Sequence, residues 1–295
     1  MRYNATMQAE RHSPATDLLR DFSIEITARD HDKVDLLCGR IPDRTPVSIT
    51  FLPGEGFESR VLAACRVRKA GFTPVPHISA RRLGSANELE SFLSALTVEA
   101  SVDRVFVVAG DIAEPAGPFR DALAIIRSGA LARHGIVEVG ITGYPEGHPG
   151  ISSAALDRAL FDKLEALEVA GQRGWIATQF SFDADPVLRW LKDLRMRTAV
   201  PVRVGIAGPA SIKALLRFAS RCGVGVSAKV MAKYGLSLAH LLGSAGPGPL
   251  IEELRERLKP DAHGDVRLHF YPFGGLEKTA EWIADFDGLG KQRTT

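Results

Sequence analysis

The chain has 295 residues, 45% of them hydrophobic and 24% charged, a composition typical of a folded globular protein. Its 37 basic and 35 acidic residues nearly cancel, and there is no dense lysine–arginine tract, so we expect no nucleic-acid partner. Three scattered cysteines are too few for a disulfide framework or a CxxC metal site. The sequence shows no secretory signal and no apolar run of membrane-spanning length, so we expect a cytoplasmic protein with no membrane partner.

Short β-branched runs alternate with longer helical patterns along the chain, which predicts βα units around a parallel sheet. We predict eight strands, at residues 22–27, 46–52, 73–79, 104–109, 136–143, 175–182, 200–207 and 266–271. Helices are predicted at 55–69, 88–96, 118–128, 154–170 and 186–195. Residues 210–262 contain helical stretches without a clear strand, and we interpret them as an elaborated connection between strands seven and eight. We expect one domain over 18–286, with loose ends at 1–17 and 287–295.

Two architectures contain eight βα units: a closed barrel and an open, doubly wound sheet. An open sheet that binds a dinucleotide typically has a glycine-rich turn after its first strand. Here the first predicted strand is followed by TARD at 27–30, which contains no glycine. The sequence therefore predicts an α/β fold of the (β/α)8 TIM-barrel class.

Polar side chains lie where the predicted strands end, and in such barrels the active site is built at those carboxyl ends. Glu25 is the most informative, because its carboxylate lies within the apolar run FSIEIT and a buried charge without partners is costly. Each of the others alone has an ordinary structural explanation, such as a helix cap for Asp111 or a packed, hydrogen-bonded ring for His77. The set consists of Glu25, Thr50, His77, Asp111, Tyr144, His148, Gln179, His269 and Tyr271.

The residues alone leave three kinds of function open. A metal-dependent barrel hydrolase could use histidines and acids from this set, although the sequence contains no HxH pair and no HExxH motif, so we expect no metal. A non-catalytic barrel accounts poorly for so many polar groups at the catalytic end. The third function is oxidoreduction with an organic cofactor.

Six motifs occur in order: Glu25 in FSIEIT, PHIS at 76–79, AGD at 109–111, YPEGHP at 144–149, TQFSFD at 178–183 and HFY at 269–271. In order and spacing they resemble the methylenetetrahydrofolate reductase family, whose pattern runs FEF, PHLT, RGD, YPExHP, TQFFFD and HFYTLNR. The YPExHP and TQFxFD motifs on consecutive strands are a specific pair. The resemblance extends over essentially the whole predicted barrel.

The resemblance implies an oxidoreductase that interconverts 5,10-methylenetetrahydrofolate and 5-methyltetrahydrofolate with NADH or NADPH, normally through FAD. Glu25 matches the family's catalytic acid, a role that requires a carboxyl able to hold a proton near neutral pH. Asp111 matches the aspartate beside pterin and flavin, where its charge favours a cationic iminium. Folate is expected to contact Gln179, Asp111, Ile212 and Tyr271. The flavin is expected to contact Thr50, His77, Gly110, Asp111, Tyr144 and His148.

Departures from the family pattern concern the flavin more than the folate. Ala109 replaces the arginine of RGD, and Leu164, Leu167 and Glu168 align with polar and basic positions that face the cofactor's ribose and phosphates. An acid at a phosphate-facing position weakens dinucleotide binding. The alternatives are therefore direct hydride transfer from NAD(P)H to folate without flavin, or a non-catalytic folate-binding protein. Relatives in the family associate, so the resemblance is also compatible with a homo-oligomer.

Overall fold

A computed structural model of the chain describes residues 18–225 and 244–286. Eight parallel strands close into a barrel in the order β1-β10-β7-β6-β5-β4-β3-β2, which confirms the predicted TIM-barrel class. The strands of the barrel are β1 Ser23–Thr27, β2 Pro46–Thr50, β3 Thr73–Ser79, β4 Arg104–Val108, β5 Glu138–Gly143, β6 Arg173–Ser181, β7 Val202–Ala207 and β10 Val266–Tyr271. The predicted loose ends at 1–17 and 287–295 lie outside the described residues.

Helices cover the outside of the barrel between the strands. They are α1 Phe57–Lys69, α2 Ala86–Ala100, α3 Ala122–Arg127, α4 Ala130–Arg133, α5 Ser153–Val169, α6 Ala184–Arg195, α7 Ile212–Cys222, α8 Gly248–Arg257, α9 Pro260–His263 and α10 Leu276–Phe286. Ser85 caps α2, because its Oγ accepts a hydrogen bond from the backbone N–H of Glu88 at 3.1 Å. None of the described helices is both long and apolar enough to span a membrane.

Two of the differences from the sequence prediction have a clear physical reason. Helix α3 starts at Ala122, later than the predicted residue 118, because Asp121 caps it by accepting from the Ala124 N–H at 2.9 Å. The connection after β7 contains a short antiparallel pair, β8 Ala210–Ser211 with β9 Ser244–Ala245, where no strand was predicted. Strands of two residues are too short to show a hydrophobic period.

Side chains alternate between the barrel interior and the surrounding helices. Ile24 and Ile26 of β1 pack outward into the main core, whereas Ser23 and Glu25 alternate with them on the opposite side of the strand. A separate interior cluster includes Phe106 and Trp175, whose ring centroids lie 5.3 Å apart. We call this pair of rings the aromatic layer of the barrel interior.

Candidate active site

Glu25 lies between two buried histidines at the carboxyl end of the barrel. Its Oε2 is 3.7 Å from His77 Nε2 and 3.9 Å from His269 Nε2. The glutamate side chain is 18% exposed, while those of His77 and His269 are 10% and 3% exposed. On its far side, His269 Nδ1 shares a 2.8 Å hydrogen bond with Ser23 Oγ. The carboxylate is thus partly sheltered, and two imidazole nitrogens face the same oxygen.

Burial alters the proton affinity of two groups beside Glu25. Desolvation lowers the pKa of His77 to about 4, despite the opposing effect of Glu25, so the ring is neutral near pH 7. The contact between His77 and Glu25 is therefore not an ion pair at that pH. Desolvation raises the pKa of Tyr271 well above its usual value, and the charge of Glu25 adds to the increase. The Tyr271 hydroxyl stays protonated and donates to the Thr178 carbonyl at 3.0 Å.

A bulge in β6 sets the position of Gln179. The register between β6 and β7 shifts between Ala177 and Phe180, and the Gly205 N–H donates to Thr178 Oγ1 at 2.8 Å. A Cβ on Gly205 would lie 2.6 Å from the Thr178 carbonyl oxygen, so the bulge requires glycine on the neighbouring strand. Gln179 Nε2 donates to the carbonyl of Cys222, the last residue of α7, at 3.0 Å.

Asp111 lies at the rim, paired with an arginine from the turn that follows the neighbouring strand β3. Arg82 donates from Nε at 2.9 Å and from Nη2 at 2.6 Å to Asp111 Oδ1, and its guanidinium lies 4.8 Å above the Phe51 ring. The Asp111 side chain is 62% exposed. The adjoining loops are joined by Arg81, whose N–H donates to the Ala109 carbonyl at 2.8 Å. The rim therefore does have an arginine, although Ala109 itself cannot supply one.

Tyr144 and His148 follow β5 and meet edge to face, with ring centroids 5.5 Å apart. Burial raises the pKa of Tyr144, so its hydroxyl is protonated near neutral pH. Beside it, a cavity of about 370 Å³ lies between α5 and α6, lined in part by Leu156, Phe161 and Trp190. A flat, largely apolar group could occupy this cavity next to Tyr144.

An aromatic cluster covers the ends of β6 and β10. The Phe218 and Phe273 rings stack with centroids 4.1 Å apart. The Tyr271 ring also stacks with Phe273, with centroids 5.7 Å apart. Ile212 is only 2% exposed within this cluster. A ligand would have to displace the cluster to reach Ile212.

The structure corrects the interpretation of α5. Leu167 is 1% exposed, and Leu164 packs with it around Gly174 near the start of β6. Glu168 lies one residue from the end of α5, roughly 22 Å along the helix axis from its first residue at 1.5 Å per residue. The helix begins at the catalytic end, so these three positions lie far from it. They give no reason to expect weak phosphate binding.

The predicted residues thus divide into two groups. The structure brings together Glu25, His77 and Tyr271, with Thr50, Gly110, Asp111, Tyr144, His148 and Gln179 at neighbouring strand ends. It places Ile212 in the buried cluster. The sequence analysis missed Ser23 and Arg82, which contact His269 and Asp111. The sequence contained a signal for Arg82, since two arginines follow PHIS after a single alanine. It contained one for Ser23 too, since Ser23 precedes Glu25 by two residues on the same face of the strand.

The described residues contain one group of acids close enough to hold a metal ion, formed by Asp183, Asp185 and Glu253. Arg257 already pairs with Asp185 at 2.7 Å and with Glu253. The histidines and acids weighed for a metal hydrolase do not form such a group within these residues.

The comparisons agree with the geometry. The family model described as methylenetetrahydrofolate reductase matches residues 44–240. A curated 5,10-methylenetetrahydrofolate reductase from Pectobacterium carotovorum subsp. carotovorum is 25% identical over 184 residues, which span 61% of this chain and 59% of that relative. An uncharacterised protein from Clostridium thermocellum that binds two copies of 5-methyl-5,6,7,8-tetrahydrofolic acid superimposes with a TM-score of 0.58. That protein is 12% identical, with 94% of this chain and 99% of that chain covered, and the likeness indicates the fold.

Proposed function

Because the chain belongs to the methylenetetrahydrofolate reductase family, we propose that it interconverts 5,10-methylenetetrahydrofolate and 5-methyltetrahydrofolate, with NADH or NADPH as hydride donor and FAD as carrier. The observation that carries the proposal is the sheltered carboxyl of Glu25, with His77 and His269 facing one of its oxygens. Glu25 lies outside the matched range of the family, so its role rests on its position in the barrel and on its motif.

Glu25 acts as the acid for the folate. Reduction requires that the methylene bridge opens, which leaves a cationic iminium carbon that accepts hydride. Glu25 delivers the proton to the departing folate nitrogen, and the hydride adds to the iminium carbon to give the methyl group. Asp111, whose carboxylate pairs with Arg82 at the rim, is the second acid that we assign to the folate, and Gln179 binds the pterin.

The order of strands separates the two ligands. Thr50, His77, Gly110, Tyr144 and His148 follow or end β2 to β5, which form one continuous arc of the barrel. Gln179 and Tyr271 belong to the opposite arc, from β6 to β10. Glu25 lies between the two arcs, since its strand β1 pairs with both β2 and β10. A hydride donor on the first arc and folate on the second would meet beside Glu25.

The donor set of the first arc fits a flavin. It offers the Thr50 hydroxyl, the neutral His77 ring and the Tyr144 ring beside the 370 Å³ cavity. Arg82 provides a guanidinium at the same rim, where an anionic phosphate gains a charge-assisted hydrogen bond. FAD, when bound, would accept hydride from the nicotinamide and pass it to the folate.

The first experiment is the visible absorbance spectrum of the purified protein, taken after incubation with FAD and desalting. We expect retained flavin bands that bleach with NADH or NADPH and return when methylenetetrahydrofolate is added. The probe for folate binding is 5-methyltetrahydrofolate, titrated calorimetrically.

Two other outcomes would change the proposal in different ways. A colourless protein that still couples NAD(P)H oxidation to methylenetetrahydrofolate reduction would establish direct hydride transfer and remove FAD from the mechanism. A protein that binds 5-methyltetrahydrofolate but catalyses neither half-reaction would be a non-catalytic folate-binding protein, and the oxidoreductase proposal would fail.

A further inference from the structure

Glu146, in the loop after β5, joins two parts of the catalytic rim. Its Oε1 accepts a hydrogen bond from Ser181 Oγ at the end of β6, at 2.5 Å. Its Oε2 accepts from the backbone N–H of Gly225, three residues after the end of α7, at 2.9 Å. One carboxylate therefore ties the end of β6 to the chain that leaves α7.

A second contact fixes the position of the same part of the chain. Gly223 has φ +67°, and a Cβ there would lie 2.5 Å from the Pro149 ring. Glycine thus allows the end of α7 to pack directly on the YPEGHP loop. Residues 222–225, which we call the α7 end, are fixed by Glu146 and by this contact.

The α7 end determines which atom of Gln179 is available to a ligand. The Cys222 carbonyl can only accept, so it fixes the Gln179 amide with Nε2 toward α7. The amide oxygen, Oε1, then points away from Cys222, and no donor among the described residues reaches it. Gln179 consequently presents an acceptor, which suits a ligand that offers N–H groups.

We propose that Glu146 is a positioning residue: it holds the α7 end so that Gln179 presents its amide oxygen to the N–H donors of the pterin. This inference rests on the proposed function, because it names the folate as the ligand that Gln179 binds. Glu146 exchanges no proton with the substrate.

Two substitutions at one position separate this role from acid–base catalysis. In Glu146→Gln, the amide oxygen accepts from Gly225, and the amide N–H donates to Ser181 Oγ. The Ser181 hydroxyl then directs its proton to the Asp183 carbonyl, which already lies at 3.0 Å. All contacts survive in Glu146→Gln, whereas Glu146→Ala loses both.

The measurement is the dissociation constant of 5-methyltetrahydrofolate, together with kcat and KM for methylenetetrahydrofolate. We expect Glu146→Ala to weaken binding and raise KM about tenfold, because Gln179 is then held less firmly, with kcat nearly unchanged. Glu146→Gln should stay within about twofold of wild type. Glu90→Ala is the matched control, because the Glu90 carboxylate also accepts two hydrogen bonds, from Arg133 and His134, but lies on α2.

A ligand-free readout accompanies the binding data. Cys222 belongs to the α7 end and is half-buried, so its rate of alkylation by iodoacetamide, mapped by mass spectrometry, reports how firmly that end is held. We expect faster alkylation of Cys222 in Glu146→Ala only, with the exposed Cys38 as internal reference.

Three results would overturn the inference: wild-type binding in Glu146→Ala, loss of turnover with intact binding in Glu146→Gln, or unchanged Cys222 alkylation in Glu146→Ala. If the wild-type protein binds no folate, the proposed function fails by itself. The alkylation rates then still decide whether Glu146 holds the α7 end.

Discussion

At the level of single residues, the site combines one carboxyl group with neutral neighbours. His77 is neutral near pH 7 because of its burial, and the Tyr271 hydroxyl remains protonated. Neither group therefore carries a charge beside Glu25 at that pH. This arrangement is compatible with the proposed role of Glu25 as the proton donor to the folate.

Replacing Glu25 with glutamine should separate the two half-reactions. The amide keeps the shape of the side chain but has no acidic proton, so we expect folate reduction to fall by a factor of about 100 or more. NAD(P)H oxidation with menadione as electron acceptor should stay near the wild-type rate, because it needs no folate proton. Both rates are measured by absorbance at 340 nm. Unchanged folate turnover in Glu25→Gln would exclude Glu25 as the acid.

The buried ring of His77 makes a specific prediction about acid stability. Its folded pKa of about 4 lies below the unfolded value of 6.5, so its contribution to stability is complete above pH 6.5 and is lost as the pH falls toward 4. At pH 5 the free energy of unfolding is therefore lower by about 2 kcal/mol than it would be without this pKa difference. Between pH 7 and pH 5, urea unfolding should therefore show a loss of stability in wild type that exceeds the loss in His77→Gln by about this amount. Equal losses in both proteins would contradict a buried neutral histidine.

Single residues also show how far the sequence predicted the site. Glu25 could be recognised from a charge within an apolar strand, and the structure places it at the catalytic end. The pairing of Arg82 with Asp111 could not, because it depends on the closeness of two loops that follow neighbouring strands. Likewise, the contacts of Glu146 depend on the path of the chain after α7, which no local pattern encodes.

At the level of elements, the barrel strands were predictable because strands in a parallel barrel are apolar on both faces. Predicted and observed bounds coincide for β3 and β10 and differ by at most two residues at any end of the others. The bulge in β6 was not predictable, since it arises from the interaction of Thr178 with Gly205 on another strand. Such irregularities depend on tertiary contacts, and here one of them directs Gln179.

The aromatic layer in the barrel interior requires a glycine in β5. A Cβ on Gly140 would lie 2.3 Å from Trp175 Cζ2 and 2.4 Å from Phe106 Cδ2. We expect Gly140→Ala to lower the free energy of unfolding by about 2 kcal/mol, the usual cost of overpacking a rigid core. Gly174→Ala in β6 is the control, because its Cβ would meet only the flexible ends of Leu167 and Leu164, at 3.2 and 3.4 Å. Urea unfolding of both variants tests the difference, and a Gly140→Ala protein as stable as Gly174→Ala would refute it.

At the level of the whole molecule, the two ends of the barrel contain different kinds of groups. The carboxyl end holds the partly exposed acids and aromatic rings of the site. The amino-terminal end contains ion pairs: Glu138 pairs with Arg104 at 3.2 Å and accepts a hydrogen bond from Arg173 at 2.8 Å, joining β4, β5 and β6. Just inside, Arg203 lies 5.7 Å from the Trp175 ring, and burial lowers its pKa to about 10. This separation allows stability and catalysis to be altered independently.

The same separation predicts opposite effects for two Glu→Gln substitutions. Glu138→Gln removes a charge that joins three strands, so we expect a loss of about 1 kcal/mol in unfolding free energy, since these pairs are partly exposed. The loss should shrink in 1 M NaCl, where charges are screened over about 3 Å. The kcat and KM for methylenetetrahydrofolate should not change, because Glu138 begins β5 at the end opposite the site. Glu25→Gln should show the reverse, with normal urea unfolding at pH 7 and little folate turnover. A change in folate kinetics for Glu138→Gln at full stability would mean that the two ends of the barrel are coupled.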